Sequence, residues 1–150
     1  MHGARGFTLV ELMAVLAVLA MAGAAVLLTM PGDRDALAAT AEAFGAKLAH
    51  ARDEAVLGMR TVEVTATAQG YGFTRRRFGT WQPLDARPFG NVAWDAGTQP
   101  RLPPGARQVG FRFDPTGSSE PRTLVLVRDG RSARIAVDGA GAVTVDAGSL

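Results

Sequence analysis

Cysteine is absent from all 150 residues, which excludes disulfides and thiolate metal sites. A domain without cross-links must rely on apolar burial, even in an oxidising compartment. Histidine occurs only at positions 2 and 50, so there is no imidazole cluster for a metal or for proton transfer. His50 has neither cysteine nor a serine-elbow motif near it. Asp114, Asp129, Asp138 and Asp146 are scattered among turns without calcium-loop spacing. Gly139-Ala140-Gly141 is a turn and not a phosphate loop, because no helix follows it. No enzyme activity, cofactor or metal is therefore expected. A large excess of charge is missing too. The formal net charge is +2 with a pI near 9.9, because all basic residues but Lys47 are arginines that do not titrate. That balance is too weak to imply a polyanionic partner.

Polar side chains are missing altogether from Leu12 to Leu28, and only Thr29 intervenes before Pro31. Phe7 to Met30 is 24 residues, about 36 Å as a helix against a hydrocarbon core of roughly 30 Å. Leu, Val, Met and Ala favour the helix, and the lone Gly23 is tolerated in a membrane. The pattern predicts a transmembrane helix over residues 7–30. Arg5 places the amino terminus in the cytoplasm and everything after Pro31 on the far side. Glu11 sits at the edge of this run. A carboxylate in hydrocarbon costs about 3 kcal/mol on insertion scales, so it reads as a functional group with a partner. An ordinary secretory signal cut after Ala22 or Ala24 would share the basic start and apolar core, but an acid is unwelcome there. A plain anchor with Glu11 snorkelling to the interface explains the span but not the order of residues around it.

Beyond Pro31-Gly32, a break, about 120 residues remain, enough for one domain with a modest core. Leu37, Ala41, Phe44, Leu48, Ala51 and Ala55 recur at spacings of four and three, predicting an amphipathic helix over 33–57 that packs on a sheet. Asp33 or Asp35 can cap its start and Gly58 its end. The period then changes to two. Strands are expected at 61–67 and 70–74, the latter extended by 75–78, with Gly79-Thr80 turning into 81–84. The Pro- and Gly-rich stretch 85–105 is expected to hold at most one short strand, near 91–94, and to offer a contact surface. Further strands are expected at 108–113, 122–127, 132–137 and 142–145, with Asp129-Gly130 and Asp138-Gly139 as tight turns. A helix followed by antiparallel strands over about 61–146, without βαβ alternation, is an α+β chain.

Arg75-Arg76-Arg77, flanked by Phe73, Phe78 and Trp81, is a candidate polyanion contact with stacking aromatics. The simpler reading is a solvated strand or loop whose arginines meet Asp85 or a neighbouring subunit. Strand alternation would send Arg76 to the face opposite its neighbours, and no basic residue follows Arg134. Nucleic acid is therefore not the expected partner.

Gly6-Phe7-Thr8-Leu9-Val10-Glu11-Leu12 resembles the prepilin-type signal of type IV pilins and type II secretion pseudopilins. The resemblance implies a leader of residues 1–6, cleavage between Gly6 and Phe7 by a membrane-embedded prepilin peptidase, and N-methylation of Phe7 by the same enzyme. It also implies an assembly role for Glu11, which would neutralise the Phe7 amine of an adjacent subunit. Gly70-Tyr71-x-Phe73, Trp81-Gln82-Pro83-Leu84, Phe111-x-Phe113-Asp114-Pro115-x-Gly117 and Arg134-Ile135-x-Val137 look like an H-type minor pseudopilin. That family implies a pilin-like fold: a long N-terminal helix, half membrane-spanning and half amphipathic, packed on an antiparallel sheet head at 31–150. The expected function is minor pseudopilin of type II protein secretion, near the pseudopilus tip. Its implied partners are the major and other minor pseudopilins and the inner-membrane secretion platform, with the head in the periplasm. A type IV pilus minor pilin, binding DNA for uptake through Arg75 to Arg77, is the alternative.

Overall fold

The computed structural model describes residues 8–29 and 33–148, with side chains over 8–22 and 36–148. The chain forms two compact units that part between Gly32 and Asp33. The first contains helix α1 (Leu9–Thr29). Thr8 caps it: its Oγ1 accepts from the Glu11 N–H at 3.3 Å, and its carbonyl accepts from the N–H groups of Glu11 and Leu12. Every described side chain on α1 is exposed. Among the described residues no helix is long and apolar enough to cross a membrane. The described side chains of α1 end at Ala22, so the span predicted over 7–30 reaches outside them at both ends.

The second unit is the head. Helix α2 (Asp33–Leu57) has the boundaries its periodicity predicts, and all six stripe residues from Leu37 to Ala55 are buried. Two antiparallel sheets receive it. The first joins β3 (Thr80–Pro83), β2 (Gly70–Arg77), β1 (Val62–Thr67) and β6 (Gln108–Phe113) in that order, with β4 (Val92–Ala93) also on β2. The second runs β5 (Gln99–Arg101), β7 (Arg122–Arg128), β8 (Arg131–Val137), β9 (Val143–Asp146). Val62, Val64 and Ala66 of β1 and Phe111 and Phe113 of β6 point inward, as do Leu124 and Leu126 of β7 and Ile135 of β8. Phe44 is wholly buried and sits edge-on to Tyr71, Trp94 and Phe111, with ring centroids at 4.8, 5.3 and 5.8 Å. Burial, and secondarily the charge of Asp95, raises the pKa of Tyr71 in this cluster.

Several expectations shift in detail. Region 85–105 holds two short strands and not one. β5 carries Pro100 at its centre, which hides it from a strand reading; the proline is accommodated because β5 is the edge of its sheet and pairs only with β7. The region is also tied to α2: Lys47 Nζ donates to the Pro88 carbonyl, and Thr40 Oγ1 donates to Asp95 Oδ2 at 2.5 Å. The β2–β3 turn comes one residue early, at Phe78-Gly79, both with positive φ. Asp129-Gly130 makes the expected two-residue turn, whereas Asp138-Gly139 opens a longer loop closed by Asp138 N–H to the Ala142 carbonyl.

Two aspartate turns brace the end of α2. Asp114 Oδ1 accepts from Thr116 N–H, Thr116 Oγ1 and Ser118 N–H at 2.8, 2.6 and 3.1 Å. Asp138 Oδ1 accepts from the N–H groups of Ala140 and Ala142. Arg52 Nε of α2 donates to the Gly117 carbonyl between them at 3.2 Å. Gly141 has φ +75°, and a Cβ there would strike that same carbonyl. The Thr116 hydroxyl above all, with the turn's backbone donors, holds the Asp114 carboxyl below the ordinary carboxylate range. A carboxyl with a lowered folded pKa adds stability above its unfolded value near pH 4, lost as pH falls through the folded value. Asp114→Asn keeps an acceptor but cannot titrate. The stability gap between wild type and variant should therefore narrow on acidification below about pH 4. Denaturant titrations across pH check this, and a pH-independent gap would contradict it.

Candidate functional site

Glu11 lies in the first turn of α1, where the helix dipole favours a negative charge. Its carboxylate is exposed, on a helix whose described side chains are otherwise apolar apart from Thr8 and point outward in every direction. Leu9, Val10, Met13, Val18 and Met21 are each about two-thirds exposed or more. A helix apolar all round is a helix made to be surrounded, by lipid or by other helices. Glu11 is then the only charge available along the described part of α1 to fix register. Gly6 and Phe7, the expected cleavage and methylation positions, lie outside the described residues.

The arginine triplet does not form one surface. Strand β2 alternates, so Arg75 points with Tyr71 and Phe73 toward α2, where its Nη1 lies 3.9 Å from Glu54 Oε1 and its Nε is buried without a hydrogen-bond partner. The residue it faces is thus Glu54, and not Asp85. Arg76 is on the outer face, beside Trp81 in register. Arg77 lies over the Phe78 ring, 5.4 Å from its centroid. The three flanking aromatics are equally divided. Phe73 is in the core, Trp81 is covered by Arg112 at 5.4 Å, and Phe78 is exposed. Arg112 in turn holds Glu63 with Nε and Nη2 at 3.1 and 2.9 Å from Oε2. Among the described residues no group of three or more His, Cys, Asp or Glu is placed to hold a metal.

Sequence reasoning did not single out Met59. It takes the left-handed position that ends α2, with its N–H bonded to the Val56 carbonyl and the Arg60 N–H to the Ala55 carbonyl. This is a Schellman closure in which Gly58 ends the helix one residue before the strained position.

Comparison with known proteins bears on all of these features. A family model described as type II transport protein GspH matches residues 40–141, and the prokaryotic N-terminal methylation motif matches residues 1–27. The minor pseudopilin EpsH of the Vibrio cholerae type 2 secretion system has a similar fold. It matches at TM-score 0.63 and 20% identity, over 77% of this chain and 100% of that one. The solution structure of E. coli GspH matches at TM-score 0.60 and 20% identity, over 78% and 93% of the two chains. The type IV minor pilin FimU of Pseudomonas aeruginosa matches at 0.58 and 20%, over 76% and 90%. No curated protein matches. At such identities the structural likeness establishes the α+β pilin-like fold, a helix packed on antiparallel sheet.

Proposed function

The chain belongs to the GspH family of type II transport proteins, minor pseudopilins of the type II secretion system, and from that premise we propose how it is built into the filament. A prepilin peptidase removes residues 1–6 and methylates Phe7. Residues 7–30 hold the protein in the inner membrane, amino terminus cytoplasmic and head periplasmic, until it joins the major and other minor pseudopilins near the tip. The protein acts by assembly and performs no reaction of its own. The carrying observation is the described part of α1, exposed from Leu9 to Ala22 and apolar there except for one carboxylate in its first turn, inside the segment matched by the methylation motif. Once Phe7 is the terminus, its amine is a cation that a neighbouring subunit's Glu11 can neutralise inside an apolar bundle. Breaking a buried pair of this kind costs about 3–5 kcal/mol, enough to fix register.

The likeness to FimU favours one second reading, a minor pilin of a type IV pilus. Its nucleic-acid form would need Arg75, Arg76 and Arg77 to act together, and their side chains diverge.

Processing tests the main reading. Co-expressed with a prepilin peptidase, the chain should lose Met1 to Gly6 and gain one methyl on Phe7, as read by intact mass. Gly6→Val should leave the precursor uncut, because a side chain is placed where the narrow cleft requires bare backbone. Cleavage after Ala22 or Ala24 would instead identify an ordinary secretory signal.

A further inference from the structure

Among the described residues, three that are not glycine adopt left-handed backbone: Met59, Phe78 and Asp129, each at φ 49°. Asp129 suits its place, since Asp-Gly is a favoured pair for a two-residue hairpin turn. Met59 and Phe78 do not suit theirs. Bulky side chains are disfavoured in this conformation. Glycine is the usual residue past a helix end, and Asn or Asp the usual first residue of a turn such as Phe78-Gly79. Neither side chain regains anything by burial, for Met59 is 80% exposed and Phe78 91%. Backbone strain that packing does not explain is a pointer to function.

Both residues emerge at the same end of the head. Strand β1 leaves the turn after α2 with Val62 opposite Arg75, and the Thr61 carbonyl accepts from the Arg76 N–H at 2.8 Å. The 58–61 turn and the 78–79 hairpin tip are therefore neighbours, at the end of α2 remote from Asp33. Leu57, 83% exposed, belongs to the same end. Arg60, Arg76 and Arg77 accompany them, all exposed and, among the described residues, none in an ion pair.

We propose that Met59 and Phe78 are twin anchors with which this end of the head docks on a neighbouring filament subunit, whose surface offers an apolar pocket rimmed by carboxylates. Side chains on backbone locked by a Schellman closure and a two-residue turn lose little freedom on docking. An aromatic and arginines are the residue types that dominate binding energy, and the three unpaired guanidiniums supply complementarity to an acidic rim. A DNA duplex would instead require a longer continuous basic track, and Arg75, the third member of the triplet, is turned inward toward Glu54. A fluid bilayer gains nothing from anchors held in fixed orientation. The inference rests on the filament reading above.

The test is the double variant Met59→Gly, Phe78→Asn in the full chain, which gives each position the residue its backbone favours. In detergent its melting temperature should rise by a few degrees, and processing at Gly6 should be unchanged. In cells carrying the complete secretion machinery, secretion should nevertheless fall about tenfold or more, the loss expected for a pair of hot-spot residues. A photoreactive phenylalanine at position 78 should crosslink to another pseudopilin in those cells. Unchanged secretion, or a lowered melting temperature, would overturn the inference. So would binding of duplex DNA or phosphatidylglycerol vesicles by the wild-type chain that the double variant loses. Gly6→Val in the same cells separates the two levels. If it stops secretion while the double variant secretes normally, the docking inference alone fails; if it leaves secretion intact, the filament reading fails.

Discussion

Phe44→Ala should remove about 3–5 kcal/mol of head stability, the range for truncating a buried phenylalanine. That is a large share of the roughly 5–15 kcal/mol that holds a typical domain together. The ring has no solvent exposure and meets Tyr71 and Phe111 of the first sheet as well as Trp94 of the loop after β4. Edge-to-face pairs add about 0.5–1.5 kcal/mol each beyond the area they bury, and one substitution deletes three. Collapse into the void is restricted, because the partners sit on strands fixed by ladder hydrogen bonds. Trp94 is pinned by its own Nε1–H to the Thr67 carbonyl at 2.8 Å. Denaturant unfolding followed by tryptophan fluorescence measures the loss, and Phe44→Leu should lose much less. A loss below about 1 kcal/mol for the alanine variant would mean that this cluster is not what joins α2 to the sheets.

That helix was legible because one physical requirement controls its sequence. A face turned to a sheet must be apolar at helical spacing, and Leu37, Ala41, Phe44, Leu48, Ala51 and Ala55 meet the requirement without exception. The inner strands were equally plain, since β1 and β6 alternate between core and solvent and leave a period of two. β5 was invisible for the opposite reason. Three residues centred on Pro100 carry no period, and their pairing with β7 depends on chain 24 or more residues away. Long-range pairing of an edge has no local signature.

The polar features divide in the same way. Asp129-Gly130 and the Asp114 turn were readable as turns because aspartate bonds its own neighbouring backbone. The Arg75–Glu54 approach was not, because it joins a strand to a helix and needs the third dimension. The left-handed backbone of Met59 and Phe78 escaped notice for a subtler reason. Sequence preference assigns such positions to glycine or asparagine, so the helix stop is read at Gly58 and not at Met59, and the turn at Gly79-Thr80 and not at Phe78-Gly79. Local rules fail there while holding at Asp129, and that contrast separates a position chosen for the turn from one retained for another purpose.

Glu11→Ala should abolish co-assembly while sparing everything that precedes it. Alanine is the best helix former, so α1 keeps its propensity. The cap survives as well, because Thr8 Oγ1 accepts from the backbone N–H of residue 11 and not from its side chain. Membrane insertion should hold or improve, since a carboxylate near hydrocarbon is removed. Cleavage after Gly6 should continue, and the head, a separate compact unit, should keep its melting temperature. What is lost is the single anionic partner on the described part of an otherwise apolar helix. Without it, the methylated amine of Phe7 on an adjacent subunit would be buried uncompensated, at about 3–5 kcal/mol per contact, a loss of more than a hundredfold in association. Cysteines placed singly along α1, in a chain that has none of its own, make this measurable as disulfide crosslinking between subunits in membranes. Wild type should crosslink in a defined register and Glu11→Ala should not, while Glu11→Asp should recover part of the signal. Equal crosslinking and undiminished secretion with alanine would reduce Glu11 to an interfacial residue of a plain anchor.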